Sequence, residues 1–222
     1  MLIFETTNFL IYHYSLGSMP TNCFFLVNKT NSHTIIIDPA DEGDFLSEEL
    51  LALQLQPTII FFTHGHFDHL GGGLPIFLNF QPLVFLHQAD HHLYVRAQKT
   101  AHFFGLYNFD PVIPLKNLTS DPKIFNDFSP LLQFIHCPGH SPGCCALYFQ
   151  DKITNSNAYS LSSTQACLFS GDLIFNHGGL GRTDLPYSNP KDMEKSLKKI
   201  NQLPHQPLVC PGHENIFTLC YN

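Results

Sequence analysis

The sequence has no tryptophan, only three methionines and little charge: Asp, Glu, Lys and Arg make up 13% of its 222 residues. Sparse charge beside 44% hydrophobic residues excludes a self-repelling disordered chain and supplies enough apolar side chains for a buried core. Long hydrophobic runs are missing too. TIIFFT at 58–63 and LVFL at 83–86 fall far short of the roughly 20 residues a membrane helix needs. The opening MLIFETTNFL carries Glu5 and neither Lys nor Arg, so no secretory leader is expected and the cytoplasm is the expected location. Basic residues number 11 against 18 acidic ones, a formal charge of −7, and four of them crowd into Lys191, Lys195, Lys198 and Lys199. That balance disfavours a nucleic-acid groove. The seven cysteines are irregularly spaced with no C-x-x-C pair, so buried free thiols are expected.

Histidine is plentiful instead, with 14 copies, and imidazole is the commonest side-chain metal ligand near neutral pH. Short β-branched or apolar runs at 24–27, 34–37, 58–62 and 83–86 predict strands. Helices are expected over Phe45–Leu55, behind Asp44 as cap, and over Gln88–Ala97. From Leu131 onward LLQFIH, CCALYF and ACLFSGD read as strands, with the polar stretch 151–165 as a long surface loop. Asn189 and Pro190 make a cap and first turn for a helix over Pro190–Gln202, where Met193, Leu197 and Ile200 share a face, and LVC at 208–210 follows as a strand. The alternation implies an α/β protein with helices covering sheet. No repeat or linker interrupts it, so one catalytic domain over 1–222 is expected.

The segment THGHFDHLGG places His64, His66, Asp68 and His69 directly after a buried strand. In such a turn, side chains at i and i+2 can face one centre while the Asp and His beyond reach a second. Three more stretches share the pattern of a strand ending in a Gly-flanked polar residue: His140 in CPGHSPG, Asp172 in SGD and His213 in PGHE. Imidazoles with carboxylates suit Zn²⁺, with Fe²⁺ or Mn²⁺ as alternatives because oxygen ligands are present. Solvated loop histidines are the bland alternative, at odds of roughly one to ten, and a closed structural zinc site is another.

Taken in order, His64-x-His66-x-Asp68-His69, His140, Asp172 and His213 resemble the sequential motifs of the metallo-β-lactamase superfamily, and the match spans nearly the whole chain. The resemblance implies a four-layer αβ/βα sandwich. It also implies a first metal on His64, His66 and His140, a second on Asp68, His69 and His213, and Asp172 bridging them. Asp38 in IIIDPA matches the family's first motif, a structural partner beside the site. GGLGRTDLP at 178–186 and TNCFFLV are similar to segments of glyoxalase II-like members, which implies hydrolysis of a small thioester such as a hydroxyacyl-glutathione. Two departures stand out: Leu173 replaces the usual small hydroxyl residue, and the C-terminal helical domain that binds glutathione in glyoxalase II is not expected here. On this reading two cations roughly 3.5–4 Å apart hold a bridging hydroxide, which Asp68 orients. Persulfide dioxygenases resemble the same branch and imply one Fe²⁺ on His64, His140 and Asp172; a non-catalytic metal-binding module is the third reading. The partner expected is a small-molecule substrate, with neither nucleic acid nor membrane, and no pattern specifies an oligomeric state.

The remaining polar residues carry plainer expectations. Arg182 ties its loop to Asp184, His177 is solvated, and His87, His91, His92 and His102 lie on the surface near the active-site roof. Cys137, Cys144 and Cys145 pack in the strands flanking His140.

Overall fold

The computed structural model describes residues 1–126, 128, 130–156 and 166–219. Thirteen strands among them form two sheets. The first seven in chain order are β1 (Leu2–Thr6), β2 (Phe9–Leu16), β3 (Thr21–Asn28), β4 (His33–Ile37), β5 (Gln56–Phe61), β6 (Leu83–Phe85) and β7 (Leu118–Thr119). They are followed by β8 (Leu132–His136), β9 (Cys145–Gln150), β10 (Ile153–Ser156), β11 (Ala166–Gly171), β12 (Leu208–Pro211) and β13 (Phe217–Thr218). The larger sheet has the order β10-β1-β2-β3-β4-β5-β6-β7, the smaller β13-β12-β11-β9-β8. The first is antiparallel from β10 to β4 and parallel from β4 to β7; in the second only β11 and β12 run parallel.

Strand parity explains the layering. On β3, Phe24 and Leu26 point between the sheets, where they pack with Ile35, Ile37, Phe61, Leu147, Phe149 and Phe169. Their neighbours Cys23, Phe25 and Val27 point outward, where they meet Leu46, Leu50, Ile76, Tyr94 and Ala97 of the covering helices. A strand buried on both faces must be apolar throughout, as TNCFFLVN nearly is. The other outer face, Ala146, Tyr148, Leu168 and Val209, is covered by Met193 and Ile200. Helix, sheet, sheet and helix make four layers. With no tryptophan, phenylalanine fills the middle one: the Phe24 and Phe169 rings meet across the sheets at 5.3 Å.

The helices are α1 (Gly43–Ala52), α2 (Gly73–Phe80), α3 (His91–Tyr94), α4 (Ala97–Phe103) and α5 (Pro190–Ile200). Helix α5 starts as the sequence implies, with Asn189 Oδ1 accepting from the amides of Lys191 and Asp192 at 3.0 and 3.3 Å. Helix α1 does not, because Asp44 lies inside the first turn and the cap is Glu42 in the left-handed region (φ 60°). The cause is close approach: a Cβ on Gly43 would collide with the carbonyl of Gly72, so the helix start is pressed onto the glycine turn that follows His69. The helix expected over 88–97 is a 3₁₀ turn at Gln88–Asp90 and α3, with α4 beginning only at Ala97. The polar stretch expected as a loop supplies β10, which pairs with β1; residues 157–165 of it lie outside the described residues. Among the described residues no helix is long and apolar enough to cross a membrane.

Candidate metal centre

Four loops at strand ends deliver the polar cluster. Strand β5 runs through Phe62 and Thr63 into His64, and the 3₁₀ turn Phe67–His69 follows. The turn between β8 and β9 carries His140, Asp172 directly follows β11, and His213 lies two residues beyond β12. The structure brings all seven predicted residues together. His66 Nδ1 stands 2.9 Å from both His64 Nε2 and His140 Nε2. Asp68 Oδ2 is 3.1 Å from His213 Nε2 and 3.6 Å from His69 Nε2. Asp172 lies between these groups, with Oδ1 3.4 Å from His69 Nε2 and Oδ2 3.6 and 3.7 Å from the Nε2 atoms of His140 and His213. Three overlapping sets each keep their ligand atoms within 4.8 Å of one another: His64, His66 and His140; His64, His69 and Asp172; Asp68, His69 and His213.

The outward nitrogens decide what the inward ones can do. His140 Nδ1 lies 2.9 Å from the carbonyl of Arg182 and His213 Nδ1 3.3 Å from that of Pro20. A carbonyl only accepts, so each Nδ1 carries a proton, and each Nε2 is the atom that faces the cluster and would offer its lone pair to a cation. His69 Nδ1 donates likewise to Asp38 Oδ2 at 2.8 Å. Thr63 Oγ1 donates to that same carboxylate at 2.7 Å, leaving its lone pair to accept from His64 Nδ1 at 3.0 Å. Only His66 is not fixed, because the Tyr187 hydroxyl 2.7 Å from its Nε2 can donate or accept. This is the arrangement of outer partners that orients histidines toward a metal.

Two inward atoms, His69 Nε2 and Asp172 Oδ1, are buried and lack any hydrogen-bond partner. Buried polar atoms are rarely left so, and a cation shared among them would supply what is missing. The electrostatics agree. Burial alone would lower the His69 pKa, but Asp38, Asp68 and Asp172 outweigh it and hold the ring well above the usual histidine value. Burial, with His69 and His66 beside it, pushes His64 well down, and burial with His140 brings His66 to about 3. Burial would raise Asp172, yet His69 keeps it well below the ordinary carboxylate range. The carboxylates demand positive charge here, and the donor set of imidazole and carboxylate fits a borderline divalent cation. The space is reserved as well: a Cβ on Gly212 would meet Asp172 Oδ1 and, at 2.7 Å, His69 Cε1.

Three positioning residues escaped the sequence reading. Asp90, fully buried, accepts from Gly65 N at 2.8 Å, Ser141 Oγ at 2.5 Å and Gly143 N at 2.6 Å, and so ties the His64–His66 loop to the His140 loop. Its side chain is thereby taken from capping α3. Asn22 donates to the carbonyls of Pro211 and Glu214 at 3.0 and 2.9 Å, holding the His213 loop from both sides. Tyr187 is the third, through His66. None sits in a spacing pattern; the TN of TNCFFLV was the only hint.

Other expectations resolve simply. Arg182 pairs with Asp184 through two contacts of 2.9 Å on the surface. His177 (φ 56°), His92 and His102 are exposed. His87 and His91 are half-buried rather than on the surface; His87 stacks on His136 with centroids 4.1 Å apart, and His91 is the first residue of α3. Cys137, Cys144 and Cys145 are buried, and burial raises each thiol pKa, which leaves them inert.

A cleft of about 360 Å³ opens onto the cluster. His66, Asp68, His140, Asp172 and His213 form its floor, and Met19, Phe67, Phe104 and Leu185 much of its apolar wall.

Comparison with known proteins decides the family. A family model described as the metallo-beta-lactamase superfamily matches residues 16–153. The chain belongs to this superfamily. Among curated metallo-β-lactamase relatives, the hydroxyacylglutathione hydrolase GloC of Haemophilus influenzae is 26% identical over 200 residues, 89% of this chain and 87% of that one. The probable metallo-hydrolase YqgX of Bacillus subtilis is 29% identical over 201 residues, again 89% and 87%. A solved structure, TTHA1623 in a di-iron-bound form, superposes with a TM-score of 0.73 at 33% identity, covering 94% of each chain. The four-layer αβ/βα sandwich expected from the motifs is therefore the fold of this metallo-β-lactamase member.

Proposed function

We propose that the protein is a dinuclear metallo-hydrolase acting on a small thioester of the hydroxyacyl-glutathione kind. One observation carries the reading: seven potential ligands from four loops converge, with four of the five imidazoles held from outside through Nδ1 so that Nε2 faces the cluster. His64, His66 and His140 would hold one cation, Asp68, His69 and His213 the other, and Asp172 both. Zinc is the leading identity from the donor set; iron is the alternative, supported by the di-iron form of TTHA1623. The unit would span 1–222, since its ligands reach from 64 to 213 across both sheets. The buried thiols of Cys144 and Cys167 suit the reducing cytoplasm.

Bound there, the cations would supply Lewis acidity and lower the pKa of water toward neutrality. The rest falls to the chain. Asp68 lies both in the cluster and on the cleft floor, so its carboxylate orients the attacking water toward the acyl carbon. Water adds, the C–S bond breaks, and a carboxylate and a thiol leave. The apolar wall of Met19, Phe67 and Phe104 excludes competing solvent. Relatives of similar length support the substrate: this chain covers 87% of GloC, which bears the name hydroxyacylglutathione hydrolase.

Metal content measured with hydrolysis of a lactoyl-glutathione thioester tests the proposal. Two zinc or iron ions per chain with thiol release is the expected result. One iron, with oxygen uptake on glutathione persulfide and no thioester cleavage, would replace it with the dioxygenase reading.

A further inference from the structure

The chain has only two arginines among its 11 basic residues, Arg96 and Arg182, and both line the cleft, while none of the nine lysines does. The two differ in their surroundings. Arg182 is neutralised by Asp184 through its bidentate pair. Arg96, between α3 and α4, has no ion pair among the described residues, although it is an exposed residue of a cleft whose floor holds the carboxylates of Asp68 and Asp172. Thr100 lies one helical turn beyond on the same face and lines the cleft too; its hydroxyl is turned back to the Arg96 carbonyl at 3.0 Å. Below it, Phe104 at the exit of α4 stacks on Phe67 of the His66–Asp68 loop, ring centroids 5.5 Å apart, so this helical wall is fixed relative to the floor.

We propose that Arg96 is the specificity residue of the cleft, binding a carboxylate at the end of the substrate remote from the scissile bond. The proposal rests on the thioesterase reading for the reacting end and adds the recognition of the far end. A planar guanidinium takes a carboxylate through two parallel hydrogen bonds, which the point charge of a lysine cannot reproduce. The apolar wall of Met19, Phe67 and Phe104 takes the uncharged stem between the two ends. Glutathione conjugates have this layout, with carboxylates at the far end of the thiol portion.

The test uses the metal-loaded protein and two inert probes, S-hexylglutathione and its dimethyl ester, titrated calorimetrically. Arg96→Gln should weaken binding of the free acid about tenfold or more, Arg96→Lys should recover part of the loss, and Lys99→Gln, an exposed charge on α4 outside the cleft, should stay within about twofold. The dimethyl ester should bind wild type and Arg96→Gln alike. Equal affinity of the free acid for wild type and Arg96→Gln, an equal loss for the ester, or no binding by wild type overturns the proposal. With lactoyl-glutathione, Arg96→Gln should raise KM about tenfold and leave kcat within about twofold. Arg96-dependent binding without hydrolysis would remove the thioesterase reading and keep this one; hydrolysis with an unchanged KM would do the reverse.

Discussion

His69 Nδ1 stands 2.8 Å from Asp38 Oδ2, both side chains buried, while His69 Nε2 faces Asp68 and Asp172. The ring is held from behind by one carboxylate and presented to two others. Asp38 is itself fixed by the amide and hydroxyl of Thr63 at 2.8 and 2.7 Å. Asp38→Asn keeps the shape but weakens the acceptor for Nδ1–H, so metal affinity should fall roughly 10- to 100-fold. Competition with a chromophoric chelator measures it; unchanged affinity would show that His69 needs no support from behind.

Asp90 couples the loops of His64 and His140 through Gly65, Ser141 and Gly143, and removing its carboxylate strands the Gly65 and Gly143 amides and the Ser141 hydroxyl in a buried space. Asp90→Ala should cost about 3 kcal/mol or more in stability and reduce bound metal, and Asp90→Asn should cost less because one oxygen survives. Urea unfolding of both variants checks the order.

Gly212 packs against Asp172 and His69 with no room for a methyl group. Gly212→Ala should therefore lower metal content sharply while leaving the far-UV circular dichroism of the fold in place. Full loading of this variant would mean that Asp172 and His69 can move aside and still bind.

His13 is held below the ordinary histidine pKa by burial, which outweighs its hydrogen bond to Asn22 Oδ1 at 2.8 Å. A histidine whose folded pKa is lowered adds stability that is present above about pH 6.5 and lost as pH falls through the folded value. Stability of the metal-free protein should decline on acidification below that point, and His13→Gln should flatten the slope. Denaturant midpoints between pH 7.5 and 5 read the difference; an identical slope would place the proton uptake elsewhere.

How much of this was legible in the sequence follows from what kind of signal each feature leaves. The loops that carry the polar cluster were legible because each follows an apolar run: TIIFFT just before His64, ACLFSG just before Asp172, LVCP one glycine before His213. The cap at Asn189 was legible because capping is local. Asp44 misled as a cap because the start of α1 is set by contact between Gly43 and Gly72, 29 positions apart. Strand β10 was hidden for the same reason, since its partner is the first strand of the chain. Asp90, a lone acid in QADHH, gains its meaning only from two loops that the sequence places 25 and 53 residues away.

Metal titration of the chelator-treated protein, read as bound zinc per chain, bears most directly on the claim that seven side chains jointly hold two cations. Wild type should saturate near two equivalents, and Asp172→Ala, which removes the carboxylate facing both groups, should lose tight binding of both along with turnover. Saturation at two equivalents with Asp172→Ala indistinguishable from wild type would contradict the account.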